Sequence, residues 1–277
     1  MRSPAVAGQF YDATARGLKR QIEASYRHGV GPGEVPKEPG RWPEGRPLAY
    51  VVPHAGYVFS GPVAAHAFLD MAKRGVPDTV VILGPSHHPI AHPLSVSMEP
   101  WQTPLGTAEV DADLAQELAG GPVAHADGDF EQEHSLEVEV PFLQHLRPDA
   151  RIVPLIMLDQ SLGAARLVGE RLRRLFEAHP DRSVGVLAST DFTHYKTPEV
   201  ARAQDAFALE AIRRGSAEEL DRQVRGRDIS MCGPGPTMAL LDAMRVKETH
   251  LLRYANSADA KVAPMRDVVA YAAIRVA

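Results

Sequence analysis

The chain has 277 residues, 44% of them hydrophobic and 23% charged, with a formal net charge of -5 and a single cysteine. Acidic and basic residues are interspersed, which argues against a nucleic-acid partner, because such a protein needs a basic face to neutralise phosphates. No apolar run approaches the ~20 residues that span a bilayer, no intramolecular disulfide can form, and residues 1–11 lack the basic-then-apolar pattern of a secretory signal.

These features fit a reducing cytoplasm. Residues 13–28 place Leu18, Ile22 and Tyr26 at helical spacing and predict an amphipathic helix. The Gly/Pro/Glu-rich stretch 29–46 reads as an exposed connection, since what precedes it is too short to be a domain. The chain then alternates. PLAYVV (47–52), TVVIL (79–83), RIVPLIM (151–157) and SVGVLA (183–188) read as strands buried on both faces. Helices are expected over 61–73, 162–176, within 198–225 as a pair, and over 235–244. Residues 95–110 look like two extended pieces around a Pro/Gly turn, and 249–254 and 268–276 like closing strands. The expected fold is one α/β domain over 1–277, a three-layer sandwich around a largely parallel or mixed sheet.

Unusual residues collect just after the strand-like runs. Pro53-His54-Ala55-Gly56-Tyr57 follows the first, Gly84-Pro85-Ser86-His87-His88 the second, and Ser189-Thr190-Asp191-Phe192-Thr193-His194-Tyr195 the last. The carboxyl ends of strands line the ligand crevice of open α/β sheets, so the three clusters are expected to converge. A lone loop histidine is ordinarily a surface or structural residue; a histidine at each of three strand ends points instead to metal ligation or proton transfer. Glu131-Gln132-Glu133-His134-Ser135 precedes an apolar helical pattern that Ser135 would cap. Met231-Cys232-Gly233-Pro234-Gly235 precedes the 235–244 helix, whose positive end favours a thiolate, and the flanking glycines would let the backbone approach a ligand. His92, His125, His145, His179 and His250 lie outside these segments and read as surface or packing residues. Trp101 and the turn at 103–106 read as a wall of the crevice.

Taken in order, the segments around His54, His87, His134, Asp191–His194 and Cys232, with Tyr254-Ala255-Asn256-Ser257 near the end, resemble the Memo family over nearly the whole chain. That resemblance implies a fold similar to the catalytic subunit of class III extradiol dioxygenases, the non-haem iron enzymes that cleave catechol rings. It implies metal ligands His54, His87 and Cys232, where the dioxygenases carry two histidines and a glutamate. His194 would take the place of the acid/base histidine, His134 would face the substrate, and Asp191 would lie close to the metal. Partners implied are the radical-SAM and AMMECR1-type proteins of the same system.

Three functions are compatible with these residues. One is a mononuclear iron enzyme activating O2 on a phenolic or catechol-like small molecule, with His194 taking the hydroxyl proton. Fe(II) is the expected cofactor, with Cu or Zn as alternatives because thiolate is a soft, oxidisable donor. A second is a zinc-dependent hydrolase or lyase with His194 or Asp191 as base. The third is a non-catalytic phosphopeptide- or ligand-binding adaptor holding a phenolic ring between Tyr57 and Tyr195.

Overall fold

A computed structural model describes residues 1–246, 248–260 and 266–277 of the protein. In chain order its elements are α1 (Ala15–Arg27), β1 (Leu48–Val52), α2 (Gly61–Arg74), β2 (Thr79–Pro85), β3 (Leu94–Val96), β4 (Trp101–Thr103), β5 (Gly106–Ala108), α3 (Ala112–Leu118) and β6 (Val123–His125). They continue with α4 (Val140–Leu146), β7 (Arg151–Met157), α5 (Leu162–Ala178), β8 (Val184–Ser189), β9 (His194–Lys196), α6 (Pro198–Arg213), α7 (Ala217–Gly226), α8 (Pro234–Met244), β10 (Thr249–Asn256) and β11 (Val268–Val276). Among the described residues, no helix is long and apolar enough to cross a membrane.

The main sheet runs β10-β11-β1-β8-β2-β7-β3-β6, with β9 added on β11. Its centre, β1-β8-β2-β7, is parallel, while β10, β11 and β9 on one side and β3 on the other join antiparallel. The sheet is therefore mixed. The period of two along each central strand divides the core. Ala49, Val51, Val81 and Leu83 face one helical layer that includes α5, α6 and α8, whereas Tyr50, Val52, Val80 and Ile82 face α1, α2 and α4. Both faces are covered, which is why these strands read as unbroken apolar runs.

Two expectations need correction. Residues 101–108 form the hairpin β4–β5, but 94–96 enter the main sheet against β7 instead of staying in that excursion. Ser135 does not cap a helix. Its hydroxyl donates to the Pro85 carbonyl at 2.8 Å and ties the 133–136 segment to the end of β2. Gly84 allows that closeness, since a Cβ there would lie 2.7 Å from Ser135 Oγ and 2.6 Å from Leu136 Cδ1.

Candidate metal centre

β1, β8 and β2 are adjacent and parallel, so their carboxyl ends share one edge of the sheet. His54 follows β1, His87 follows β2, and Asp191 and His194 follow β8. Cys232 arrives from the turn before α8. Gly233 makes that approach feasible, because a Cβ there would lie 2.6 Å from the Ser189 carbonyl oxygen and 2.7 Å from Thr190 Cβ. Gly235 likewise faces Gln160. The glycines flanking Pro234 thus serve backbone packing, not ligand approach. Hydrogen bonds fix the turn: Cys232 N donates to Asp191 O (3.2 Å), Gly233 N to Thr190 Oγ1 (2.9 Å) and Gln160 Nε2 to Cys232 O (2.8 Å).

One donor atom from each of His54, His87 and Cys232 lies within 4.8 Å of the other two, with Cys232 Sγ 3.2 Å from His54 Nε2. The groups behind the imidazoles set their tautomers. His87 Nδ1 sits 2.9 Å from Glu133 Oε1, and a carboxylate only accepts, so Nδ1 carries the proton and Nε2 the lone pair. His54 Nδ1 sits 2.8 Å from Ser189 Oγ, whose hydrogen is directed 2.6 Å to the Ser135 carbonyl. His54 therefore donates to Ser189 and turns its Nε2 lone pair toward Cys232. Two neutral imidazole nitrogens and one sulfur on one side of a cavity are a donor set that fits Fe(II), Cu or Zn.

His87, Glu133 and His134 also bring three donor atoms together. Glu133, however, already accepts from His87 N (2.5 Å), His87 Nδ1 (2.9 Å), His134 N (2.9 Å) and Ser135 N (2.7 Å). Three of these four hydrogen bonds fall on Oε1 and one on Oε2, and they hold the carboxylate where it orients His87. Burial alone would raise the Glu133 carboxyl, but the hydrogen bonds from His87 outweigh it and hold the group at about 2.

Burial dominates the remaining electrostatics. It pushes His54 far below its ordinary range, with His87 adding to the effect, and it pushes His134 down to about 4. It raises Asp191 to about 6, against the pull of His194 and of the His54 backbone N–H that Asp191 Oδ1 accepts at 2.9 Å. The Cys232 thiol is raised by burial and then by Asp191. Burial opposes the thiolate that the α8 N-terminus favours, while the Asp191 N–H, donating to Sγ at 3.1 Å, and a cation in contact would both favour it. His194 is held from behind, its N donating to Ser230 Oγ and its Nδ1 to the Ser230 carbonyl, both at 2.8 Å. Nε2 of the neutral ring is thereby left as a base.

All six residues singled out from the sequence, His54, His87, His134, Asp191, His194 and Cys232, line one cavity of about 620 Å³. Its apolar walls are Phe10, Val58, Phe59, Tyr195, Val269 and Tyr271. Tyr57 is not among them: it is buried, with its hydroxyl donating to Val138 O at 2.6 Å. Trp101 is also buried, packed on Phe130 and under the Arg2 guanidinium, and forms no wall. Glu133 stands within a segment singled out from the sequence, beside His134, but nothing in its spacing announces a role behind His87. Ser189, Ser230 and Phe10 carry no sequence signal of their function.

The family description "Memo-like protein" matches residues 2–275. The chain belongs to the Memo family. A "MEMO1 family protein" of Aeropyrum pernix is 40% identical over 282 residues, covering 100% of this chain and 99% of the relative. One from Saccharolobus islandicus is 38% identical over 280 residues, covering 99% and 98%. The crystal structure of an uncharacterized protein from Escherichia coli shares the fold, with a TM-score of 0.52 at 13% identity over 84% of this chain and 100% of the other. In this Memo chain the ordered motifs are the loops leaving β1, β2 and β8 and the turn before α8.

Proposed function

We propose that the protein is a mononuclear metal-dependent redox enzyme of extradiol-dioxygenase type, using Fe(II) held by His54, His87 and Cys232. The observation that carries this is a single cavity joining that donor set to a free imidazole nitrogen of His194 and to apolar walls. A bound ferrous ion would supply electron transfer between a chelated diol and O2, both oxygen atoms entering the product as the ring bond breaks. The chain's own part is then threefold. Phe10, Phe59 and Tyr271 exclude water and favour a flat ring. His194 Nε2 accepts a hydroxyl proton on substrate binding. His134, neutral because buried, offers a hydrogen bond to charge developing on the substrate.

No lysine or arginine is among the described lining residues. A phosphate-bearing peptide would find no lysine or arginine there to pair with, which favours an uncharged phenolic or catechol-like substrate over the adaptor function. The zinc hydrolase or lyase alternative draws support from Asp191, a carboxyl raised by burial that lines the same cavity and could act as a base for water. Metal analysis after anaerobic purification separates the two, with O2 uptake measured on catechols. Tightly held zinc that sustains turnover would overturn the iron reading. Under that reading His194→Gln keeps catechol binding and lowers turnover by about 10²–10⁴-fold. A product shared with radical-SAM and AMMECR1-type proteins is expected, and failure of the purified proteins to process any common intermediate counts against that partnership.

A further inference from the structure

We infer that Tyr195 is a specificity-determining residue, an aromatic cap that stacks on the ring of the substrate bound at the metal centre; this rests on the proposed metal-centre function. Three independent features single it out. Its backbone is left-handed, at φ +56°, a conformation that a bulky aromatic residue rarely adopts and that persists where the surrounding structure imposes it.

It is also the extra residue of a β-bulge. Lys196 pairs with Val268 and His194 with Val269, so two steps along β9 oppose a single step along β11 and Tyr195 is left without a partner. Bulges next to active sites re-aim one side chain.

The third feature is exposure. Tyr195 is 77% exposed although it lines the cavity, with its ring 5.8 Å from that of His194 in an edge-on arrangement. Val58, 54% exposed, lines the same cavity. An aromatic ring held in a costly backbone conformation, yet largely uncovered, contributes little to the core. It is placed to gain contact only when a flat apolar ligand fills the space beside His194, and aromatic pairs prefer such offset or edge-on contacts.

The test compares two chelators of the zinc-loaded protein, 4-nitrocatechol, which has a ring, and acetohydroxamate, which has none. Binding is read from the absorbance of the first and by competition for the second. Tyr195→Asn, whose new residue tolerates the left-handed backbone, is expected to weaken 4-nitrocatechol about fivefold and to leave acetohydroxamate within about twofold. Tyr195→Phe is expected to restore the catechol affinity, because the ring and not the hydroxyl makes the contact. Equal weakening of both ligands, or of neither, would overturn the role of Tyr195 while leaving the metal centre intact. If neither chelator binds the zinc-loaded wild-type protein, the metal-centre function itself fails, and the cap with it.

Discussion

Replacing Glu133 by glutamine tests the link between the buried scaffold and the metal centre. The side chain keeps its shape but retains only one acceptor oxygen. Three donors converge on Oε1, from His87 Nδ1, His134 N and Ser135 N, and His87 N faces Oε2. The best orientation of the amide therefore keeps oxygen at the Oε1 position and turns its NH2 against the His87 backbone N–H. One charge-assisted hydrogen bond is lost and two buried donors face each other, a cost of about 2–4 kcal/mol in folding stability. The neutral oxygen is also a weaker acceptor for His87 Nδ1–H, so Nε2 becomes a poorer donor and metal affinity falls about 10–100-fold. Urea unfolding of the metal-free protein measures the first effect, and competition of zinc against a chromophoric chelator measures the second. His87→Asn is the control, since that side chain is 30% exposed: it should lose more metal affinity than Glu133→Gln at less cost to stability. A shifted urea midpoint with wild-type zinc affinity would refute the coupling of Glu133 to the metal. Wild-type behaviour in both assays would refute the hydrogen-bond network.

Cys232→Ser should abolish the sulfur-to-metal charge-transfer absorption of the cobalt-substituted protein and weaken zinc binding, and retention of that band would remove sulfur from the ligand set. Burial holds His134 near 4 in the folded chain against an ordinary value of 6.5. As pH falls the unfolded chain takes up this proton first, so stability should decline between about pH 6.5 and 4, by about 3 kcal/mol from this group, and be independent of it above 6.5. His134→Gln should lose that part of the slope in urea midpoints compared at pH 7 and pH 4.5, while His54, shifted in the same direction, keeps its own share. Arg2→Met leaves the Glu137 carboxylate buried without its 2.7 Å ion pair, though still accepting from Ala5 N, Val6 N and Tyr11 OH. The expected loss is about 3–5 kcal/mol in urea unfolding, and a change below about 1 kcal/mol would show that the other donors suffice.

Fold class and the positions of the site loops were legible in the sequence because they depend on local pattern. β-branched apolar runs bounded by Gly and Pro mark strands buried on both faces, and the polar residues after them must fall at strand ends. Hence His54, His87, Asp191 and His194 are placed at strand ends by pattern alone, whereas His134 and Cys232 precede helices and their roles came with the Memo resemblance; all six line one cavity. What local pattern cannot carry is partnership across the fold. Glu133 serves His87 from 46 positions away and Ser189 serves His54 from 135 positions away, and no spacing encodes either pairing. The antiparallel edges of the sheet depend on which strands meet, and the burial of Trp101 and Tyr57 on how the layers close over them. The charge state of Cys232 is not set locally either. A sequence shows the nearby helix start, whereas desolvation is set by everything packed around the sulfur, and only the tertiary structure brings that together.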